Sequence, residues 1–402
     1  MALDPKKPIP QYMQSFWTND TGLPQNSVYV IAEMPDGYLW VGTQEGLVRF
    51  DGLRFVPSGR SENLPFPLVS SLLADRDGTL WIATQSGLVQ YRDGVYTQYS
   101  GANGLSSGNL TALAATPDGS LWIGTAEHGL NRYREGKFQA YTVRDGLPSD
   151  SINTLASDSA GNLWVGTPKG LARYAEGKFT VFTKRDGLPG NGIQYVKETR
   201  PGTLWIGTST AGAARWEKGR WQVWSRRQGL PGNDVRAIVR DRDGNVWLGI
   251  FGAGLARIAA DGKLSTYTPA EGLPSNRVQV MYEDREGGLW VGFSDDGLVC
   301  LRDGKFTVFG TREGLAADRI ESVLEARDGS IWAATDKGLH HLLRSGGIEI
   351  YGTREGMPED GIMGIRETRD GTIWAGTENG WICRLRDGRV AETRKIAASI
   401  IG

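Results

Sequence analysis

Two cysteines and three histidines are all that 402 residues carry of the side chains that bind soft metals or build most nucleophilic sites. Cys300 and Cys383 are read on third strands of repeat units two apart. That exceeds the ~7 Å Cα separation a disulfide tolerates, so both are expected to be buried, inert thiols. His340 and His341 are neighbours on a strand, so they point to opposite faces and cannot share a metal. His128 sits in the turn Thr125-Ala126-Glu127-His128-Gly129, and no second histidine-rich loop offers metal-ligand geometry. No metal and no cofactor are expected. Proline is sparse at 17, which excludes a low-complexity proline-rich chain. No apolar run reaches the ~18 residues that read as a membrane helix. The start, Met1-Ala2-Leu3-Asp4-Pro5-Lys6-Lys7, shows no apolar signal segment. Residues 1–10 are read as a leader, and the protein as either cytoplasmic or exported with its signal removed. Charge is balanced, 45 basic against 46 acidic residues, which argues against recognition of nucleic acid or an anionic membrane by bulk charge.

Glycine, in contrast, is abundant at 56, and there are 14 tryptophans. Trp40, Trp81, Trp122, Trp164, Trp205, Trp247, Trp290, Trp332 and Trp374 are spaced 41, 41, 42, 41, 42, 43, 42 and 42 apart. Each lies in one phrase, such as Leu39-Trp40-Val41-Gly42-Thr43 or Leu163-Trp164-Val165-Gly166-Thr167. Each unit reads as four short strands. An apolar run such as Val28-Tyr29-Val30-Ile31 comes first. An Asp-Gly turn such as Asp118-Gly119 follows, where glycine takes the positive φ a tight hairpin requires. The Trp strand is next, then a strand opened by Gly-Leu, and finally an outer strand with aromatics three apart, as in Phe179 and Phe182 or Phe306 and Phe309. Four strands per ~40–45 residues make a propeller blade. The glycine-interrupted units contain no 3.6-residue period, which excludes helical repeats.

The fold expected is therefore all-β: a single closed β-propeller of nine four-stranded blades over residues 11–388. Trp17 precedes Leu23 by six residues, as Phe182 precedes Leu188, so residues 11–17 match an outer strand. After Asp387-Gly388 the equivalent positions, Val390 and Thr393, lack aromatics. The N-terminal strand is accordingly expected to complete the last blade and remove its open edge. Residues 389–402 are left as a tail or the start of a linker.

The phrases Leu23-Pro24-Gln25-Asn26-Ser27-Val28, Asp36-Gly37-Tyr38-Leu39-Trp40-Val41-Gly42-Thr43 and Gly46-Leu47-Val48-Arg49-Phe50-Asp51-Gly52 together resemble the two-component regulator propeller repeat. The resemblance covers about residues 11–388. It implies an extracytoplasmic or periplasmic sensor region of a bacterial histidine kinase or diguanylate cyclase, with glycan fragments as one ligand class. Such regions usually precede a β-sandwich, a membrane helix and an effector, and none of these is present here. Self-association through a C-terminal effector absent from this chain is one implied partner mode. Many members carry repeats for one or two seven-bladed rings, so nine copies depart from the pattern.

Chemistry is sparse. The Asp-x-Asp-Gly phrases, such as Asp241-Arg242-Asp243-Gly244, lack the further carboxylates of a calcium loop and read as turns. The serine-anchored spacing of the sialidase Asp-box is not met. A lyase-like or glycan-active propeller using His128 with a nearby carboxylate is the enzymatic alternative to the favoured non-catalytic sensor. Function is sought where blades differ. Blades three, five, six and seven have one extra residue after the Trp strand, and Phe251 stands at a turn tip. Phe66 breaks the repeated Gly-Leu-Pro-x-Asn loop. A polar column runs along the first strands: Tyr29, Ser70, Thr111, Asn153, Gln194, Arg236, Gln279, Glu321 and Met363. Arg277 and Arg319 lie beside it. Phe66, Arg236, Phe251, Arg277 and Arg319 are the expected binding residues for a glycan or another small polar ligand, through aromatic stacking and fixed arginine donors.

Overall fold

The computed structural model describes residues 3, 12–57, 68–75, 77–302, 311, 314–317, 319–343, 347–368, 370–386 and 388–395. Apart from short 3-10 turns, every element among them is a β-strand. The strands form nine four-stranded antiparallel sheets, as the repeat arithmetic implies.

Blade three shows how the repeat folds. Its strands are Leu110–Ala115, Leu121–Thr125, Leu130–Arg134 and Lys137–Tyr141. Gly119 turns the first hairpin at φ 80°. All five residues of the Trp strand are buried, because sheets cover both of its faces. The loop to the next blade is a capped 3-10 turn. Thr142 Oγ1 accepts from Arg144 N, Asp145 Oδ2 accepts from Thr142 N, and Gly146 closes the turn at φ 105°. Leu147 then drops into the core. Eight residues on from Thr142, Asp150 Oδ1 accepts from Val143 N, as Asn191 does from Lys184 N. The Gly-Leu-Pro-x-Asn phrase is thus a self-satisfied loop.

Two compact units divide the chain, residues 1–305 and 306–402. The first holds blades one to seven, and it closes on itself. The first strands neighbour one another in order, and that of blade seven, Val278–Glu283, lies against that of blade one, Val28–Glu33. The seam uses the same joint as the other interfaces of the unit, except that blade two has Ala83 in place of the glycine. A Cβ placed on Gly42 would sit 2.7 Å from Val69 Cγ1, one on Gly124 2.7 Å from Ile152 Cγ2, and one on Gly249 2.7 Å from Val278 Cγ1. At the seam a Cβ on Gly292 would sit 2.7 Å from Val28 Cγ1. Gly297 N donates to Asn26 O at 2.9 Å, and Arg285 pairs with buried Glu33 at 3.2 Å while donating to Met34 O and Pro35 O.

This corrects two expectations. The outer strand Met13–Trp17 completes the seventh blade and not the last: it pairs with Leu298–Arg302, Trp17 opposite Leu298. There Trp17 stacks on Trp290 at 5.0 Å and meets Phe50 edge-on at 5.1 Å. Closure therefore follows the seventh repeat, leaving no single ring of nine. The repeated joint specifies that blades pack, but the angle accumulated between successive sheets decides when the first and last strands meet. Leu3 and Tyr12, in or near the expected leader, are buried in the core of blades six and seven. Phe306 and Phe309 lie outside the described residues.

The second unit holds blades eight and nine. Arg389–Lys395, expected as a tail, is the outer strand of blade nine and pairs with Trp381–Arg386. Ile362 and Ala334 share one cluster there and repeat the joint of the first unit. The outward faces of this pair have no such neighbour within the unit: Ile320 is 38% and Val323 62% exposed, and a Cβ on Gly376 would meet open space.

The joint gives a paired test. Gly292→Ala should destabilise the seven-bladed unit by about 1–3 kcal/mol through overpacking against Val28. Gly376→Ala should stay within about 0.5 kcal/mol of wild type. Urea titrations followed by tryptophan fluorescence would check this, and equal losses at both sites would contradict the assigned closure.

Asp118 supplies a pH test. Burial works to raise its pKa, but hydrogen bonds from Thr116 and Ser120 and the charge of Arg132 outweigh it and hold the carboxyl at about 2. A depressed carboxylate stabilises the fold above its ordinary value of 3.8, and that contribution disappears as pH falls from there to about 2. Asp118→Asn should lower the melting temperature at neutral pH and flatten its decline across that window, measured by thermal denaturation from pH 7 to 2.

Candidate functional site in the channel of the first unit

The seven first strands of the closed unit surround a channel, and its cavity holds about 540 Å³. Tyr29, Ser70, Thr111, Asn153, Gln194, Arg236 and Gln279 all line it, so the column read from the repeats is one physical ring of side chains. Alternation along each strand explains why: the residue after the buried Val or Ile of the joint points the other way. Glu321 and Met363, the same positions in blades eight and nine, belong to the second unit.

Much of that ring is structural. Ser70 Oγ donates to Leu110 O at 2.7 Å, Thr111 Oγ1 to Ile152 O at 2.6 Å, and Asn153 Nδ2 to Ile193 O at 2.8 Å. Each hydroxyl or amide clasps the next blade at the joint residue, so three members of the column hold the ring together. The extra residue after the Trp strands of blades three, five, six and seven also has a structural use. It lets Gly129, Gly212, Gly254 and Gly297 donate to Asp150 O, Asn233 O, Asn276 O and Asn26 O of the following blade.

Of the five expected binding residues, three come together. Arg236, Phe251 and Arg277 meet where blades six and seven border the channel. Phe251 and Arg277 form an isolated β-bridge, and the Arg236 guanidinium lies 3.6 Å from the centre of the Phe251 ring. Arg236 donates to Asp234 Oδ2 at 2.9 and 3.2 Å and to Gln279 Oε1 at 2.8 Å. Arg277 pairs with Asp295. The other oxygen of Asp234, Oδ1, is buried without a partner. The arginines are therefore preorganised by carboxylates, and a ligand oxygen entering here meets fixed donors. Arg319 belongs to the second unit and pairs with Glu321 at 2.7 Å. Phe66 lies outside the described residues. Gln279 and Asp234 complete the cluster. Gln279 was legible as a column member, whereas Asp234 carried no signal in the repeat.

Tyr195, Lys197 and Tyr282 also line the channel. Burial first, and then the Glu33 carboxylate, push the Tyr282 hydroxyl well above the usual phenol range, so it stays a hydrogen-bond donor at any physiological pH. His128 is exposed at its turn and is not part of the channel lining. Both thiols are buried; burial pushes Cys300 up to about 12 and Cys383 to about 11. His340 is buried, its Nε2 accepting from Ala316 N at 2.8 Å, while His341 stacks on Trp332 at 3.9 Å. The turn carboxylates are structural: Asp158, Asp241 and Asp284 accept from the indole nitrogens of Trp164, Trp247 and Trp290 at 2.8, 2.9 and 2.7 Å. Among the described residues no group of three or more His, Cys, Asp or Glu is placed to hold a metal ion, and no helix is long and apolar enough to cross a membrane.

No curated protein matches the sequence. Solved structures share the fold. The extracellular domain of a hybrid two-component system from B. thetaiotaomicron aligns at a TM-score of 0.74 and 21% identity, over 96% of this chain and 54% of that one. A second such domain from the same organism aligns at 0.61 and 19%, over 94% and 52%. The chain thus spans about half the length of the extracellular domains it matches. A catalytically inactive virginiamycin B lyase from Staphylococcus aureus, solved with quinupristin, aligns at 0.60 and 17% identity, over 74% of this chain and all of that one. The two-component regulator propeller repeat itself is matched over residues 22–45, 63–86, 104–127, 146–169, 187–210, 229–252, 272–295 and 356–379, one segment in each blade except blade eight. With that repeat matched in eight of its nine four-stranded blades, the chain is built from two-component regulator propeller repeats.

Proposed function

We propose that this chain is a non-catalytic, ligand-sensing part of an extracytoplasmic signalling receptor, and that the ligand enters the channel at blades six and seven. The observation that carries the reading is the Asp234, Arg236, Phe251, Gln279 and Arg277 cluster: preorganised donors and an aromatic face at one edge of a polar cavity. Such an arrangement suits a small ligand rich in hydroxyl or carboxyl oxygens, a glycan fragment above all. The extracytoplasmic setting is supported by the extracellular two-component domains that share the fold. A lyase reading draws on the streptogramin B lyase likeness, which is one of fold. His128 is the one histidine of the first unit, and its place away from the channel favours binding over catalysis.

Arg236→Ala and Phe251→Ala should each weaken a bound glycan fragment by about 1–3 kcal/mol, the scale of a lost charged hydrogen bond or aromatic contact. Isothermal titration of oligosaccharide fragments against wild type and both variants measures this. Binding unchanged in both variants would remove the site from this edge. Turnover of a bound fragment, abolished by His128→Ala, would replace the sensor with the enzyme.

A further inference from the structure

Blade five departs from the other eight at its first hairpin. Every other blade places a carboxylate six or four residues before its tryptophan: Asp36, Asp75 and Asp77, Asp118, Asp158, Asp241 and Asp243, Asp284 and Glu286, Asp328, Asp370. Blade five has Thr199 and Pro201 at those positions, with Arg200 between them. In blades four, six and seven the carboxylate accepts the indole N–H. Blade three substitutes Thr116, which accepts from Trp122 Nε1 at 3.0 Å and is backed by Asp118 at 2.6 Å. Blade five has the threonine without the backing acid. Trp205 Nε1 makes no hydrogen bond among the described residues, as Trp40 Nε1 of blade one makes none despite Asp36, and Thr199 Oγ1 is buried without a partner.

Over this gap opens a cleft of about 370 Å³ between blades five and six. Arg200, Arg215 and Arg240 line it, with the Trp205 and Trp224 rings stacked at 4.8 Å. Arg215 reaches Gln222 at 2.8 Å and Glu217 at 3.6 Å. The guanidinium groups of Arg200 and Arg240 have no ion-pair or hydrogen-bond partner among the described residues. Asp243 and Asp261 stand on the blade-six wall, so the cleft has an anion-accepting side and an acidic side that would take hydroxyl donors. Three arginines, an unpartnered indole N–H and an unpartnered hydroxyl converge where the repeat normally supplies its own carboxylate.

We propose that this cleft is a second binding site, separate from the channel, for a small carboxylate carried on a ring. The ligand carboxylate would occupy the place of the missing turn acid, and the Trp224 edge would give the ring an apolar wall. Planar guanidinium groups suit a carboxylate better than a single ammonium would.

The test uses the whole chain and four probes: glucuronate, benzoate, glucose and acetate, titrated with tryptophan fluorescence and calorimetry as readouts. Glucuronate or benzoate is expected to saturate a site at millimolar concentration or below, with glucose at least about tenfold weaker, the scale of a lost charged hydrogen bond. Preference between the two acids assigns a sugar or an aromatic body. Thr199→Asp restores the repeat's own carboxylate; it should raise the melting temperature and weaken the acid tenfold or more. Arg240→Ala should weaken it similarly at unchanged melting temperature. No saturable binding by either acid, equal binding of glucose, acetate binding as tightly as both ring acids, or undiminished binding in both variants would overturn the proposal.

Discussion

The contact between a bare glycine backbone and a β-branched side chain of the next sheet, made at every blade of the ring but blade two with its Ala83, is the constraint on which the ring rests. In the Trp strand the glycine of the Val-Gly-Thr phrase has no room for a Cβ, because Val28, Val69, Ile152, Ile193 or Val278 fills that space. Sheets that approach this closely bury both faces of the Trp strand. They also bring the next residue of each first strand to the channel wall. Packing between blades and the composition of the channel are thus two consequences of one alternation along a strand.

The same alternation explains why the channel is partly a framework. Ser70, Thr111 and Asn153 carry short polar groups that reach the carbonyl of the joint residue next door. Where the side chain is longer, at Arg236 and Gln279, it passes that carbonyl and its neighbours are other side chains. Side-chain length, more than polarity, separates the clasps from the groups free to meet a ligand. The first-hairpin carboxylate plays a comparable double part at the other end of the strands. It tethers the indole nitrogen and satisfies the turn, as Asp241 does for Asn245 N and Trp247 Nε1. In blade five, which lacks it, Trp205 Nε1 makes no hydrogen bond among the described residues, as Trp40 Nε1 makes none in blade one.

The four-stranded blade, its Asp-Gly hairpins and the position of the outer aromatic were legible in the primary structure, because each depends on residues within ~40 positions of one another. So was the channel column, since period two places it whatever the ring size. The cluster at blades six and seven was legible in its arginines and Phe251 but not in Asp234, whose residue type is ordinary at that loop position. The extra residue in four of the turns was visible but misleading as a mark of function. Its use is a backbone hydrogen bond to the next blade, which no pattern within one repeat reveals.

Local periodicity therefore determined that the chain is all-β, that it has nine blades, and that residues near Trp17 form a stray outer strand. Tertiary structure alone decided where that strand docks and after how many blades the unit closes. The joint is identical in kind at Gly249 and Gly292, yet Gly249 receives the next blade in the chain and Gly292 receives the first. That choice depends on the summed angle of seven packed sheets, and on a bare third-strand edge at Leu298–Arg302 that accepts Met13–Trp17. Arg389–Lys395 occupies the corresponding edge of blade nine. A quantity accumulated over ~280 residues has no signature in any one repeat, which is why the strand could be recognised in the sequence while its partner could not.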